Sequence, residues 1–354
     1  MAIAPEPICW ECATQSAGDA RPDLLEMPDP NTALNAEQMA NTHGIRGIAS
    51  QRLLRVLVAA IAIASGATPA IAHAPILAAA GDIACAPGGK TTATECQQAA
   101  TARLIKRAHP AAVAALGDNQ YENGGLAEYF GTGAFDATWG AFKPLIHPVP
   151  GNEDYATANA SGYFQYFGGA ADPAGASYYS YELGAWHVIA LNSNCSDLGC
   201  VNSLHGQMTS AELRWLASDL AGARQRCILA YWHHPLFTST LMLGGERALL
   251  PLWRMLFSAR VDVVLNGHAH DYERFARRSL AGATPAGIRE FVLGTGGRSL
   301  FNFKMHISST SQRRDRRDFG ALFLILHRDS YDWAFRTIRG VERDRGSDRC
   351  HHKL

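Results

Sequence analysis

Residues 111–121 read AAVAALGDNQY, a short apolar run that stops on Gly117-Asp118 and passes at once into amide and phenol side chains. A run of that length closed by glycine is short for a helix and suits a strand buried on both faces. Upstream, PILAAAGD (75–82) has the same form. Between them Glu95 to Ala108 places Ala99, Ala102, Ile105 and Ala108 near one face of a helix. Strand, helix, strand is the order of an α/β sheet, in which ligands gather at the carboxyl ends of the strands.

Downstream the pattern continues. SYYSYEL and WHVIALNS meet at Gly184-Ala185 as a hairpin, and Thr209-x-x-Glu212 forms a capping box for a helix carrying Leu213, Leu216 and Leu220. Strand CILAYW (227–232), helix Glu246 to Ala259 and strand VDVVLNG (261–267) repeat the cycle. REFVLGTGG, ALFLILHRD and YDWAFRTI read as one antiparallel hairpin system. One two-layered α/β domain over residues 73–354 is expected, with no internal repeat.

The composition narrows the function. With 32 basic and 32 acidic residues among 354 and 47% apolar content, the chain is neither disordered nor fibrous. Zero formal charge gives no electrostatic case for nucleic acid or an anionic membrane as the main partner. Catalysis or small-ligand binding is the default.

Candidate chemistry sits where strands end. Gly81-Asp82, Gly117-Asp118-Asn119-Gln120-Tyr121, Trp232-His233-His234-Pro235 and Gly267-His268-Ala269-His270 each close an apolar run, and Pro150-Gly151-Asn152-Glu153-Asp154 lies between the second and third. Any one of these is ordinary, since Gly-Asp turns and His-x-His pairs are common. Five in order, each at an element end, point to carboxylate, amide, phenol and imidazole donors converging on a metal site of the kind zinc, iron and manganese accept.

At these residues the chain resembles the calcineurin-like metallophosphoesterases, in particular the purple acid phosphatase branch and its secreted bacterial relatives. GDIA, GDNQY, GNED, AYWHHP and GHAHDYERF fall in that family's order. The resemblance implies an αββα fold, a β-sandwich flanked by helices, and two metal ions, iron together with zinc, manganese or a second iron. It assigns Asp82, Asp118, Tyr121 and His270 to one ion and Asp118, Asn152, His233 and His268 to the other, with Asp118 bridging. The implied reaction is hydrolysis of a small phosphate ester, most readily a monoester, by a metal-activated water that attacks phosphorus directly. Phosphodiesterase or nucleotidase activity is the alternative within the family, and a metal- or phosphate-binding protein without turnover the alternative outside it.

Two positions depart from the family pattern. Ala84 stands where many members have a histidine ligand, a place Tyr121 can fill as a hard anionic donor suited to ferric iron. Glu153 stands where the family has the phosphate-contacting histidine, which opens the identity of the general acid. Glu153 serves if its pKa is raised; otherwise it orients Asn152 and the acid is His234 or His205. Elsewhere, Gly294-Thr295-Gly296-Gly297-Arg298 reads as a loop outside the site. Arg313 to Asp318 reads as a solvated loop, and Tyr272-Glu273-Arg274 as packing that fixes the His270 loop.

The front of the chain has a different character. Residues 1–38 hold seven acids and one base, whereas residues 39–72 hold three arginines and no acid. The second stretch runs through VLVAAIAIA to a small-residue site ending at Ala72, the layout of a secretory signal peptide with Met39 as the expected start. Ser65, Gly66, Thr68 and Pro69 cut the apolar run below the ~18 residues of a membrane span. A lone Cys9-x-x-Cys12 upstream is a weak zinc or redox signal. Export to the periplasm or outside the cell follows, with no membrane anchor and with cysteines that pair. The expected pairs are Cys85 with Cys96, Cys195 with Cys200 and Cys227 with Cys350.

Overall fold

A computed structural model of the chain describes residues 74–351 except 174, 244 and 245. The expected N-terminal extension, signal peptide, Met39 start and Cys9-x-x-Cys12 all lie outside the described residues.

Thirteen strands make up two mixed sheets. Their order along the chain is β1 (Ile76–Ala80), β2 (Ala112–Leu116), β3 (Ile146–Val149), β4 (Tyr179–Leu183), β5 (Trp186–Ala190), β6 (Cys227–Trp232), β7 (Val263–Asn266), β8 (Tyr272–Phe275), β9 (Arg289–Leu293), β10 (Ser311–Asp315), β11 (Gly320–Leu326), β12 (Ser330–Thr337) and β13 (Glu342–Arg349). One sheet runs β13-β12-β11-β1-β2-β3 and the other β10-β8-β9-β7-β6-β5-β4. The strands that end in the candidate clusters, β1, β2 and β3 in the first sheet and β6 and β7 in the second, pair in parallel within their own sheet. Their carboxyl ends therefore share an edge.

Alternation along each strand assigns its side chains to layers. Leu77 and Ala79 of β1 face a core between the sheets with Leu229, Leu265, Phe291, Leu324 and Trp186. Ala78 and Ala80 face outward onto helix α1 (Gln98–Ala108), where Ala102 and Ile105 meet them. On the far side, Ile228, Ala230 and Trp232 pack against α2 (Ser210–Gly222) and α3 (Leu250–Ser258) through Leu216, Leu220, Leu252 and Trp253. Helix, sheet, sheet, helix is the expected αββα order.

Several details differ from the sequence reading. Helix α1 begins at Gln98 rather than Glu95, because Cys96 adopts a left-handed backbone (φ 57°) inside its disulfide. Only half the capping box forms. Thr209 Oγ1 accepts from Glu212 N (3.0 Å), but the Glu212 carboxylate turns away to accept from Asn192 N (2.7 Å). REFVL does not join the C-terminal hairpins: β9 lies parallel to β7 in the other sheet. The charged run thought to be a solvated loop begins as β10, an edge strand whose arginines protect an open sheet edge. Strand β13, ERDRGSDR, is too polar to announce itself and pairs only as the outer member of its sheet. All three expected disulfides are present. No helix among the described residues is long and apolar enough to cross a membrane.

A buried ion-paired histidine links β5 to α2. His187 Nε2 lies 2.7 Å from Asp219 Oδ2 and Nδ1 lies 2.8 Å from Glu182 Oε1. Burial opposes a charge there, but the two carboxylates outweigh it and hold the imidazole above its ordinary pKa. A folded-state pKa above the unfolded value makes the extra stability complete below the unfolded pKa and loses it as pH rises through the folded one. The melting-temperature gap between the wild type and His187→Gln should therefore be wider at about pH 5.5 than at about pH 9, by the equivalent of ~1 kcal/mol given the exposure of Glu182. A gap that is flat, or wider in alkali, contradicts this.

Candidate metal centre

Three of the turns that carry the candidate donors are held in a backbone conformation that side chains other than glycine rarely adopt. Asp82 (φ 58°), Asp118 (φ 47°) and His268 (φ 66°) are all left-handed. Such strain collects where function fixes a side chain's direction. The glycines before the donors leave no room for a side chain. A Cβ on Gly117 would stand 2.4 Å from His233 Nδ1, and one on Gly151 would stand 2.1 Å from Asp118 Oδ1.

The donors gather in two quartets. In the first, the Tyr121 hydroxyl lies 3.1 Å from Asp82 Oδ1, 2.8 Å from Asp118 Oδ2 and 3.1 Å from His270 Nε2, and His270 Nε2 is 3.1 Å from Asp82 Oδ1. In the second, His233 Nε2 lies 3.4 Å from Asp118 Oδ1, 3.2 Å from Asn152 Oδ1 and 3.2 Å from His268 Nδ1. Asp118 enters both, with a different oxygen in each. The seven side chains named from the sequence as ligands are thus brought together, all of them nearly or wholly buried. Donors that share one ion through bonds of ~2.0–2.2 Å stand roughly 3 Å apart, and Asp82, Asp118 and His233 lie close enough together to hold a cation.

The outward atoms of these groups are already committed, which aims the inward ones. His233 Nδ1 donates to Leu116 O (2.8 Å) and His268 Nε2 donates to Leu204 O (3.2 Å), while His270 Nδ1 meets Ser299 Oγ (2.9 Å). Asn152 Nδ2 donates to Glu153 Oε1 (3.0 Å) and lies 3.4 Å from Asn202 Oδ1, which turns Asn152 Oδ1 inward. Asp82 Oδ2 accepts from His268 N (2.8 Å), leaving Oδ1 for the first quartet. Partners of this kind fix the tautomer and direction of a metal ligand. Ala84 O accepts from Tyr121 N (2.9 Å) and so helps to seat the phenol beside Asp82 and Asp118.

The electrostatics ask for positive charge. Burial works against ionising His233, yet Asp118 and Asp82 overcome it and lift its pKa to about 9. Asp118 itself is held below the usual carboxylate range: burial pushes it up, but the His233 charge and three hydrogen bonds prevail. His268 is driven well below the ordinary imidazole range by burial and by its neighbouring histidines, which leaves it neutral with a free lone pair. Burial, then Asp118 and Asp82, push Tyr121 far above the normal phenol range. A phenol so placed keeps its proton unless a bound cation takes up its oxygen.

The residues named as catalytic fare differently. Glu153 lies at the rim, its N–H donating to Asp118 Oδ1 (2.8 Å), and burial followed by the charges of Asp118 and Glu122 raises its pKa to about 7. His234 does not suit proton transfer. Its Nε2 donates to Ser203 O (3.0 Å), its Nδ1 meets Ser193 Oγ (2.8 Å), and burial plus the His233 charge depress its pKa to about 3. Both nitrogens are occupied, so His234 anchors the 203 loop. His205, the other candidate acid, is exposed and lies 3.5 Å from Glu246.

Some contributors were not read from the sequence. Asp154 Oδ2 accepts from Gly151 N (2.9 Å) and Asn119 Nδ2 (3.0 Å), tying two of the donor loops together. The glycine-rich loop after β9, excluded by the sequence reading, packs directly behind Asp82. Gly296 N donates to Gly81 O (2.8 Å), Arg298 N to Asp82 O (3.0 Å), and Ser299 touches His270. Its signal was the glycines: a Cβ on Gly294 would stand 2.2 Å from Ala269 O, so only a bare backbone fits there.

Comparison with known proteins identifies the family. A sequence model of the family described as calcineurin-like phosphoesterase matches residues 76–272. Purple acid phosphatase 22 of Arabidopsis thaliana is 31% identical over 146 residues, which are 39% of this chain and 32% of that protein. Purple acid phosphatase 21 of the same plant is 27% identical over 193 residues, 49% and 42% of the two chains. The chain thus spans about a third to two fifths of the length of these relatives. Among solved structures, the purple acid phosphatase PPD1 from yellow lupin seeds superposes with a TM-score of 0.62 at 17% identity, over 77% of this chain and 53% of that one. GAP50, the anchor in the inner membrane complex of Plasmodium, superposes with 0.55 at 14% identity, over 79% and 90%. These last two likenesses are of fold. With five donor clusters in order, two quartets at its strand ends and a family match over more than half its length, the chain belongs to the calcineurin-like phosphoesterase family.

Proposed function

We propose that the chain hydrolyses small phosphate esters, phosphomonoesters most readily, with two metal ions. Asp82, Asp118, Tyr121 and His270 would hold one ion, and Asp118, Asn152, His233 and His268 the other. The observation that carries this reading is the division of Asp118 between two quartets of donors. Two bound cations supply an activated water and neutralise the oxygens of an in-line phosphoryl displacement. The chain's own residues do the rest. Leu116 O and Leu204 O hold the His233 and His268 imidazoles in fixed tautomers, Ser299 Oγ orients the His270 ring, and Glu153 holds the Asn152 amide with its oxygen inward. The ligand chemistry favours iron beside Tyr121, with zinc, manganese or a second iron in the other place. Residues 73–354 are proposed as the catalytic domain, exported after removal of residues 1–72. Three disulfides support an oxidising destination.

The test is hydrolysis of p-nitrophenyl phosphate and of bis-p-nitrophenyl phosphate by protein loaded with iron, zinc or manganese, together with metal analysis. About two ions per chain and faster monoester turnover are expected. Two bound ions with no hydrolysis of either ester would make this a binding protein, and faster diester turnover would make it a phosphodiesterase. Within an active enzyme, Glu153→Ala should lose at least about tenfold in kcat while Glu153→Gln, which keeps the acceptor for Asn152, loses much less. Equal losses would move Glu153 from orienting Asn152 to donating a proton.

A further inference from the structure

We infer that Arg298 is a phosphate-orienting residue of this site and that Glu122 is the resting partner which an incoming phosphate displaces. This rests on the phosphoester reading above and adds to it the group that recognises the part of the phosphate turned away from the metal quartets. Arg298 belongs to the glycine-rich loop behind Asp82, and its backbone is pinned on both sides. Its N–H donates to Asp82 O (3.0 Å), and its carbonyl accepts from Cys96 N (3.3 Å), a residue held by the disulfide to Cys85. From that fixed base the guanidinium reaches over Tyr121, with Cζ 5.2 Å from the centre of the ring whose hydroxyl lies in the first quartet. One nitrogen, Nη2, is 2.9 Å from Glu122 Oε1. Another, Nε, is buried and has no hydrogen-bond partner among the described residues.

That combination describes a fork only partly in use. A guanidinium presents paired N–H groups suited to two oxygens of one anion, whereas Glu122 engages Nη2 and leaves Nε without a partner among the described residues. Glu122 is about half exposed (51%) and Arg298 is 24% exposed, so their pair is a screened surface contact that costs little to break. A phosphate already anchored at the quartets would offer the fork a dianion at high local concentration. A buried Nε–H left unpaired is costly in the resting chain, and an arriving anion relieves that cost. Lysine could supply the charge at this place but not the fork.

The roles of the two residues give opposite predictions. The probe is inorganic phosphate, measured as a competitive inhibitor of p-nitrophenyl phosphate hydrolysis and, independently, by calorimetric titration of the metal-loaded protein. Arg298→Gln should weaken phosphate binding by about tenfold or more, and its kinetic loss should fall mainly on KM. Arg298→Lys should recover only part of the affinity. Glu122→Gln should tighten phosphate binding by about threefold, because it removes the competitor, with the gain shrinking at high salt. Equal weakening by Arg298→Gln and Glu122→Gln, or unchanged affinity in Arg298→Gln with two ions still bound, would overturn the inference. If the wild type hydrolyses no ester, the hydrolase reading fails, and the calorimetric affinities still decide the role of Arg298.

Discussion

Asp118→Asn should abolish the phosphatase activity proposed here, lowering kcat by about 10³-fold or more, and reduce bound metal to at most one ion per chain. The substitution keeps the shape of the side chain and creates no cavity. What changes is that an amide has one oxygen, whereas Asp118 presents Oδ2 to Tyr121 and Oδ1 to His233 and the Glu153 N–H. Whichever way the amide turns, one quartet receives N–H groups where it needs a lone pair. Two ions per chain in the variant, or an unchanged rate, would remove Asp118 from the centre of the site.

The largest effect on stability should come from the Cys227–Cys350 disulfide. It joins residues 123 apart, against 11 for Cys85–Cys96 and 5 for Cys195–Cys200. On the chain-entropy account a loop of that length contributes about 5 kcal/mol and the shortest about 2 kcal/mol. The bond anchors β13 beside the start of β6, and β13 is a poor strand by itself. Its contribution is electrostatic, with Asp344 accepting from Arg274 (2.6 Å) and Asp348 from Arg289 (2.7 Å) across to the other sheet. Replacing both cysteines by alanine should cost about 3–5 kcal/mol, a fall in melting temperature of roughly 10 °C. The Cys195→Ala/Cys200→Ala pair should cost less than half as much. A smaller loss at 227–350 than at 195–200, measured by denaturant melts, would show that β13 holds itself in place.

Much of this site was legible in the chain because each donor follows an apolar run and a turn, a local pattern that survives without three-dimensional information. The αββα core was legible for the same reason in β1, β2, β6 and β7. What the sequence hid was anything decided by partners far along the chain. Glu212 sits at the third position of a capping box, yet Asn192 captures its carboxylate. His234 has the appearance of an acid beside His233, but Ser203 and Ser193 occupy both of its nitrogens. REFVL has the composition of a hairpin strand, yet it pairs in parallel with β7 of the other sheet. Arg298 and Ser299 lie in a glycine-rich loop that reads as lying outside the site, and they reach the site because those glycines let the loop press against Asp82.

The origin of the donors in the two sheets has a consequence for how the protein comes into being. Every oxygen donor, from Asp82, Asp118, Tyr121 and Asn152, follows a strand of the first sheet, and every imidazole, from His233, His268 and His270, follows a strand of the second. Along the chain these sets are also separate in time, for the whole oxygen set is synthesised before the first of those histidines emerges. A growing chain therefore has no complete quartet until the second sheet closes on the first. On the proposed ligand assignment, metal acquisition would be among the last events of maturation, and the ions present where the sheets meet would determine what the finished protein carries.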